Sequence, residues 1–148
     1  MKMQLKLMLL LFGVSFTTLM GCKKKDNVIT PVAATITISH KAVVMPGTLS
    51  GIFTATGGIS TSGTELMIVQ PNGTDSIHCT QTITASEGSI TMLQDCSKSK
   101  MSGSWHITSG TGKYAALQGN GTLTMMMFPP GDPSGNLGID TLTGMVTF

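Results

Sequence analysis

The chain has 148 residues, 11% of them charged and 41% hydrophobic, with nine lysines, no arginine and seven acidic residues. Removal of Lys2 and Lys6 with an N-terminal signal leaves seven lysines against seven acidic residues, and beyond the tether only Lys41, Lys98, Lys100 and Lys113 face six acidic side chains. That balance supplies no basic stripe for phosphate neutralisation and excludes nucleic acid as the expected partner.

Lys2 and Lys6 form a basic start, and residues 7–20 form an apolar run shorter than the roughly 20 residues a membrane span needs. Residues 1–21 therefore read as a secretion signal. Leu19-Met20-Gly21-Cys22 then resembles a bacterial lipobox, in which the small Gly21 suits the signal-peptidase pocket and the Cys22 thiol receives a diacylglyceryl group. Two or more acyl chains at one N-terminus give stable anchoring without a span, because each buried methylene contributes about 0.8 kcal/mol. Residues 22–34 are a tether, polar at Lys23-Lys24-Lys25-Asp26-Asn27 and then Pro-containing. A lysine after Cys22 is similar to outer-membrane sorting in enteric bacteria, and lysines followed by an acidic residue resemble the surface-export tags of Bacteroidota lipoproteins. The expected location is the bacterial cell envelope, lipid-anchored at the outer membrane.

From residue 35 onward the chain repeats one rhythm: alternating apolar and threonine-rich segments broken by glycine and proline. Strands are expected over residues 35–44, 48–56, 64–70, 76–85, 89–96, 102–109, 120–128 and 139–148. Eighteen glycines and the lack of a sustained helical period agree with an all-β domain over residues 35–148. Eight strands can close into an antiparallel barrel whose lumen is filled by side chains or holds one small ligand. Alternation nominates Ile36, Ile38, Phe53, Leu66, Ile68, Ile77, Ile83, Trp105, Ile107, Leu123 and Met125 as core.

With Cys22 lipidated, Cys79 and Cys96 remain as a pair in an oxidising compartment. If Glu87-Gly88 is the two-residue loop of a hairpin, Cys79 faces Cys96 and a disulfide is expected. The same register sets Ile77, Cys79, Ile83, Ile90, Met92 and Cys96 on one face, with His78, Thr80, Thr82 and Asp95 on the other. A metal site built from the two sulfurs and His78 fails, because the imidazole points the other way. Gln81 and Gln94 fall on the apolar inner face, either bonded to each other or, with Trp105 and Tyr114, presented to a ligand in an apolar cavity.

The segment Trp105 to Thr124, WHITSGTGKYAALQGNGTLT, reads as a strand, a glycine corner, a short helical turn near Tyr114 and a second strand. It is similar to the corner motif of the allene oxide cyclase barrel-like proteins, a superfamily that includes plant dirigent proteins and bacterial secreted proteins. The resemblance implies an eight-stranded antiparallel barrel with a lumen, and it brings no catalytic residue onto this chain. Trp105 and Tyr114 are expected to hold one barrel end closed.

Other chemistry is sparse. His40, His78 and His106 read as surface imidazoles, Met125 and Met127 of the Met125-Met126-Met127 run as packing rather than a soft-metal box, and no serine sits in a nucleophile elbow. Glu65 is outward if Leu66 is inward, which leaves the lumen without a proton-transfer group. No metal or cofactor is implied. A membrane-embedded barrel fits badly: only five aromatic residues follow the signal, too few for girdles, and the strand exteriors are threonine-rich. The expected function is a noncatalytic envelope barrel that binds a small apolar ligand or a partner. The alternative is a cyclase-like or dirigent-like protein that steers a reactive intermediate by shape.

Overall fold

A computed structural model describes residues 30–148; the segments read above as a signal and a lipobox, with Cys22, lie outside the described residues. Eight antiparallel strands follow in chain order: β1 Val32–Met45, β2 Thr48–Gly57, β3 Thr61–Asn72, β4 Ser76–Ala85, β5 Gly88–Ser97, β6 Ser102–Gly110, β7 Gln118–Met127 and β8 Gly138–Thr147. Each pairs with the next and β8 pairs with β1, so the sheet closes into a barrel without free edges. The only helical piece among the described residues is a single 3-10 turn, Gly112–Tyr114.

Alternation decides what fills the barrel. Ala34, Ile36 and Ile38 on β1, Phe53 and Ala55 on β2, Ile83 on β4, Ile90 and Met92 on β5, Trp105 on β6, Leu123 on β7 and Leu142 and Val146 on β8 are all buried in one cluster. Ile77, Ile107 and Met125 pack against it half-buried. Leu66 and Ile68 depart from the expectation: both are exposed, while Glu65 and Met67 are buried. The cause is register. Phe53 points inward opposite Gly63, and a Cβ on Gly63 would lie 3.0 Å from the Phe53 ring, so Gly63 shares the inner face and fixes Glu65 and Met67 on it.

The β4–β5 hairpin is a second correction. Ala85 pairs with Gly88, so the loop is Ser86-Glu87, one residue earlier than expected. Gly88 belongs to the strand because the Thr111 backbone presses against it, leaving no room for a Cβ. Every pairing consequently moves by two: Cys79 faces Gln94, and Cys96 faces Ile77. A two-residue shift preserves the faces, so the inner set stands, but the expected disulfide is absent and both cysteines are free, buried thiols.

One end of the barrel is plugged. The corner after β6 docks on the β4–β5 loop through Lys113 N to Glu87 O at 2.9 Å and Thr111 N to Ser89 O at 2.9 Å. Gly112 permits this approach, with φ of +57° and no side chain to strike the Glu87 carbonyl. Tyr114, Leu117 and Ile59 are buried there. The opposite end, where β1, β3, β5 and β7 finish, is open.

Candidate functional site

Five strands send polar side chains into the lumen: His40 from β1, Glu65 from β3, Gln81 from β4, Gln94 from β5 and Asp140 from β8, all buried. Each follows from strand parity rather than from an irregular loop. His40 is the next inward position after Ile36 and Ile38, and Asp140 shares its face with Leu142 and Val146. The pairing of β1 with β2 slips between His40 and Ala42, a bulge that ends the regular ladder at the histidine.

A hydrogen-bonded chain crosses the lumen. Gln94 Nε2 donates to Gln81 Oε1 at 2.5 Å, Gln81 Nε2 donates to Glu65 Oε2 at 3.4 Å, and His40 Nδ1 donates to Glu65 Oε1 at 2.9 Å. On its other side, His40 Nε2 lies 3.1 Å from Asp140 Oδ2, close enough for an ion pair but outside hydrogen-bond geometry. Burial alone pulls the imidazole down, but the Asp140 and Glu65 carboxyl groups together outweigh it and hold the ring at about 9. At neutral pH His40 is therefore an imidazolium between two carboxyl groups.

Three atoms of this cluster remain without a hydrogen-bond partner: His40 Nε2, Asp140 Oδ2 and Gln94 Oε1. All three residues line an inner cavity of about 180 Å³ whose other walls are Leu49, Met67, Val69, Ile77, Cys79, Met125 and Met127. An outer chamber of about 270 Å³ shares His40, Leu49 and Met127 with it and is walled by Val43, Phe128, Pro130, Leu137 and Gly138 at the open end. The lumen is thus an apolar funnel with a polar floor, the usual build of a small-molecule site. A wider groove of about 600 Å³ lies on the rim beside Asn72, His78, Asp95 and Lys100. Its histidine is already paired with Asn72 and Asp95.

Of the residues singled out from the sequence, Gln81 and Gln94 do come together, and they bond to each other. Only Gln94 reaches the cavity wall. Trp105 is buried on the inner face, but its Nε1 donates to the backbone carbonyls of Thr122 at 3.1 Å and Thr143 at 3.3 Å. Tyr114 is buried in the closed end with its hydroxyl 3.4 Å from Glu87 Oε2. Both rings are structural at this site, and neither borders the cavity. His78 and His106 are exposed as expected, whereas His40 and Glu65, read as outward, form the centre of the polar floor.

Cys79 borders the inner cavity, and Cys96 lines the rim groove. The hydrogen bond with Cys96, reinforced by burial, pushes the Cys79 thiol far above the ordinary range, which makes it a poor nucleophile. Among the described residues no group of three or more His, Cys, Asp or Glu side chains has the arrangement of a metal site. No family model, curated protein or solved structure matches this chain.

Proposed function

We propose that this chain is a lipid-anchored barrel of the bacterial cell envelope whose lumen takes up a small, largely apolar compound by its polar end. The observation that carries the reading is the conjunction at the open end of apolar walls with three buried polar atoms that have no hydrogen-bond partner, two of which, His40 Nε2 and Asp140 Oδ2, are paired only as ions. Unpaired buried polar groups are costly, on the order of 1 to 3 kcal/mol each. A guest that supplies partners offsets that cost, while its apolar body covers Leu49, Val69 and the methionines. The lipobox at Leu19 to Cys22 supports the anchor, and the resemblance of the Trp105 to Thr124 corner to the allene oxide cyclase barrel-like proteins supports a lumen-centred role. Val32 enters β1 at the plugged end, opposite the mouth.

Native mass spectrometry of the full chain, gently released from bacterial membranes, tests both halves. The expected spectrum shows diacylglyceryl mass on Cys22 and an additional noncovalent small molecule, absent from a Val69→Trp variant in which the lumen is filled. A full chain without acyl mass, or one whose wild-type and Val69→Trp spectra are identical, would overturn the corresponding half.

The alternative, a cyclase-like or dirigent-like barrel that steers a reactive intermediate, draws support from one specific feature. The lumen contains His40 between Glu65 and Asp140, groups able to hold and move a proton beside a bound guest. A His40→Gln variant separates the readings: steering chemistry is lost with guest binding retained if the alternative holds.

A further inference from the structure

We infer that the lumenal guest carries a primary ammonium head, seated between Asp140 Oδ2 and Gln94 Oε1, on a short apolar body; this rests on the lumenal-binding reading above. The three atoms without a hydrogen bond are two acceptors and one N–H donor, His40 Nε2, which already pairs as an ion with Asp140 Oδ2 at 3.1 Å, and a carboxylate oxygen keeps lone-pair capacity for a further donor. The floor therefore asks for donors. An ammonium offers three, enough to engage both acceptors at once.

Charge points the same way. Glu65 and Asp140 place two carboxyl groups around a single imidazole, and Lys41, Lys98, Lys100 and Lys113 are all exposed, away from the lumen. An anionic head would meet two carboxyl groups with only a shared imidazolium to compensate, and burial would magnify the repulsion. A fatty acid, the default guest of an apolar barrel, is excluded on that ground. A neutral alcohol would satisfy one acceptor and leave the other unpaired. The walls set the rest of the guest: Leu49, Met67, Val69 and Met125 offer aliphatic and thioether surface, and an inner cavity of about 180 Å³ admits a short chain rather than a sterol or a diacyl lipid.

The experiment is isothermal titration of the full chain in zwitterionic nanodiscs, with empty discs as blank, using hexylammonium, 1-hexanol and hexanoate. The three share a body and differ only in the head. Hexylammonium should bind about tenfold or more tighter than hexanol, the scale expected for one charge-assisted hydrogen bond, and hexanoate should not bind. In Asp140→Asn, checked for an unchanged fold by thermal melting, the preference for the amine over the alcohol should fall to near one. Should that variant fail to fold, Gln94→Leu, which removes one acceptor and no charge, should reduce the preference instead. If hexanol or hexanoate binds as well as hexylammonium, the ammonium inference is overturned while lumenal binding stands. If none of the three gives heat above the blank, a lumen holding only water is the result, and both fail together.

Discussion

Raising the pH through the range in which His40 loses its proton should destabilise the barrel, and the size of the loss can be worked from its surroundings. The imidazole sits 2.9 Å from Glu65 Oε1 and 3.1 Å from Asp140 Oδ2, with side-chain exposures of 3%, 0% and 5% for the three groups. Burial opposes the charged ring, yet the two carboxyl groups raise it from 6.5 to about 9. Because the folded value lies above the unfolded one, the stabilisation is complete below pH 6.5 and is lost as pH rises through 9. The difference corresponds to roughly 3 kcal/mol, a large share of the stability of a domain of this size. The assay is urea denaturation of the full chain from pH 6 to pH 10, followed by the emission of Trp105, the one tryptophan, with His40→Gln as the reference that removes contributions of other groups. Wild type should lose most of the 3 kcal/mol relative to His40→Gln between pH 7 and pH 10. A flat difference between the two proteins, or a ring that titrates near 6.5 by NMR, would refute the buried His40 pairing.

Three other outcomes follow from the packing. Trp105→Ala should cost about 3 to 5 kcal/mol in thermal or chemical unfolding, since a buried ring and two backbone hydrogen bonds are lost together; an unchanged melting temperature would place the ring in solvent. Gly112→Ala should cost about 1 to 3 kcal/mol, because its φ of +57° disfavours a side chain and a Cβ would lie 2.2 Å from the Glu87 carbonyl oxygen; a neutral effect in denaturant titration would mean the corner does not rest on the β4–β5 loop. Non-reducing peptide mapping should return Cys79 and Cys96 as free thiols, and a linked peptide pair would restore the disulfide expected from the sequence.

The number of strands was legible because glycine and proline breaks punctuate clean alternation; β4 falls at Ser76–Ala85, the span expected from its pattern, whereas β1 and β3 begin at Val32 and Thr61, ahead of their expected starts. The closed end was legible in part, since Gly112 and Tyr114 carry a local geometry. The polar floor was not, and the reason is specific. Alternation is read by asking which parity is apolar, and Leu66, Met67, Ile68 and Val69 are apolar on both parities. Only the pairing of Phe53 with Gly63 decides between them, and that is a contact between strands. His40 could have been found: it continues the even positions Ile36 and Ile38, and a histidine on a core parity is a buried one. Asp140 shares its parity with Leu142 and Val146 in the same way. What no local pattern reveals is that β1, β3 and β8, separated along the chain, bring these three residues into contact once the barrel closes. Likewise, a one-residue choice of turn moved the cysteine pairing by two while leaving every face correct, because a strand pattern records parity and not register.

Methionine-methyl NMR of the full chain, titrated with hexylammonium, tests the occupied lumen most directly, because thioethers sit both inside and outside the barrel. Met67 and Met125, which line the inner cavity, should shift in a saturable manner, while Met126 and Met145 on the exterior should stay fixed. Saturable shifts at the exterior methionines with Met67 and Met125 unmoved would contradict a guest in the lumen.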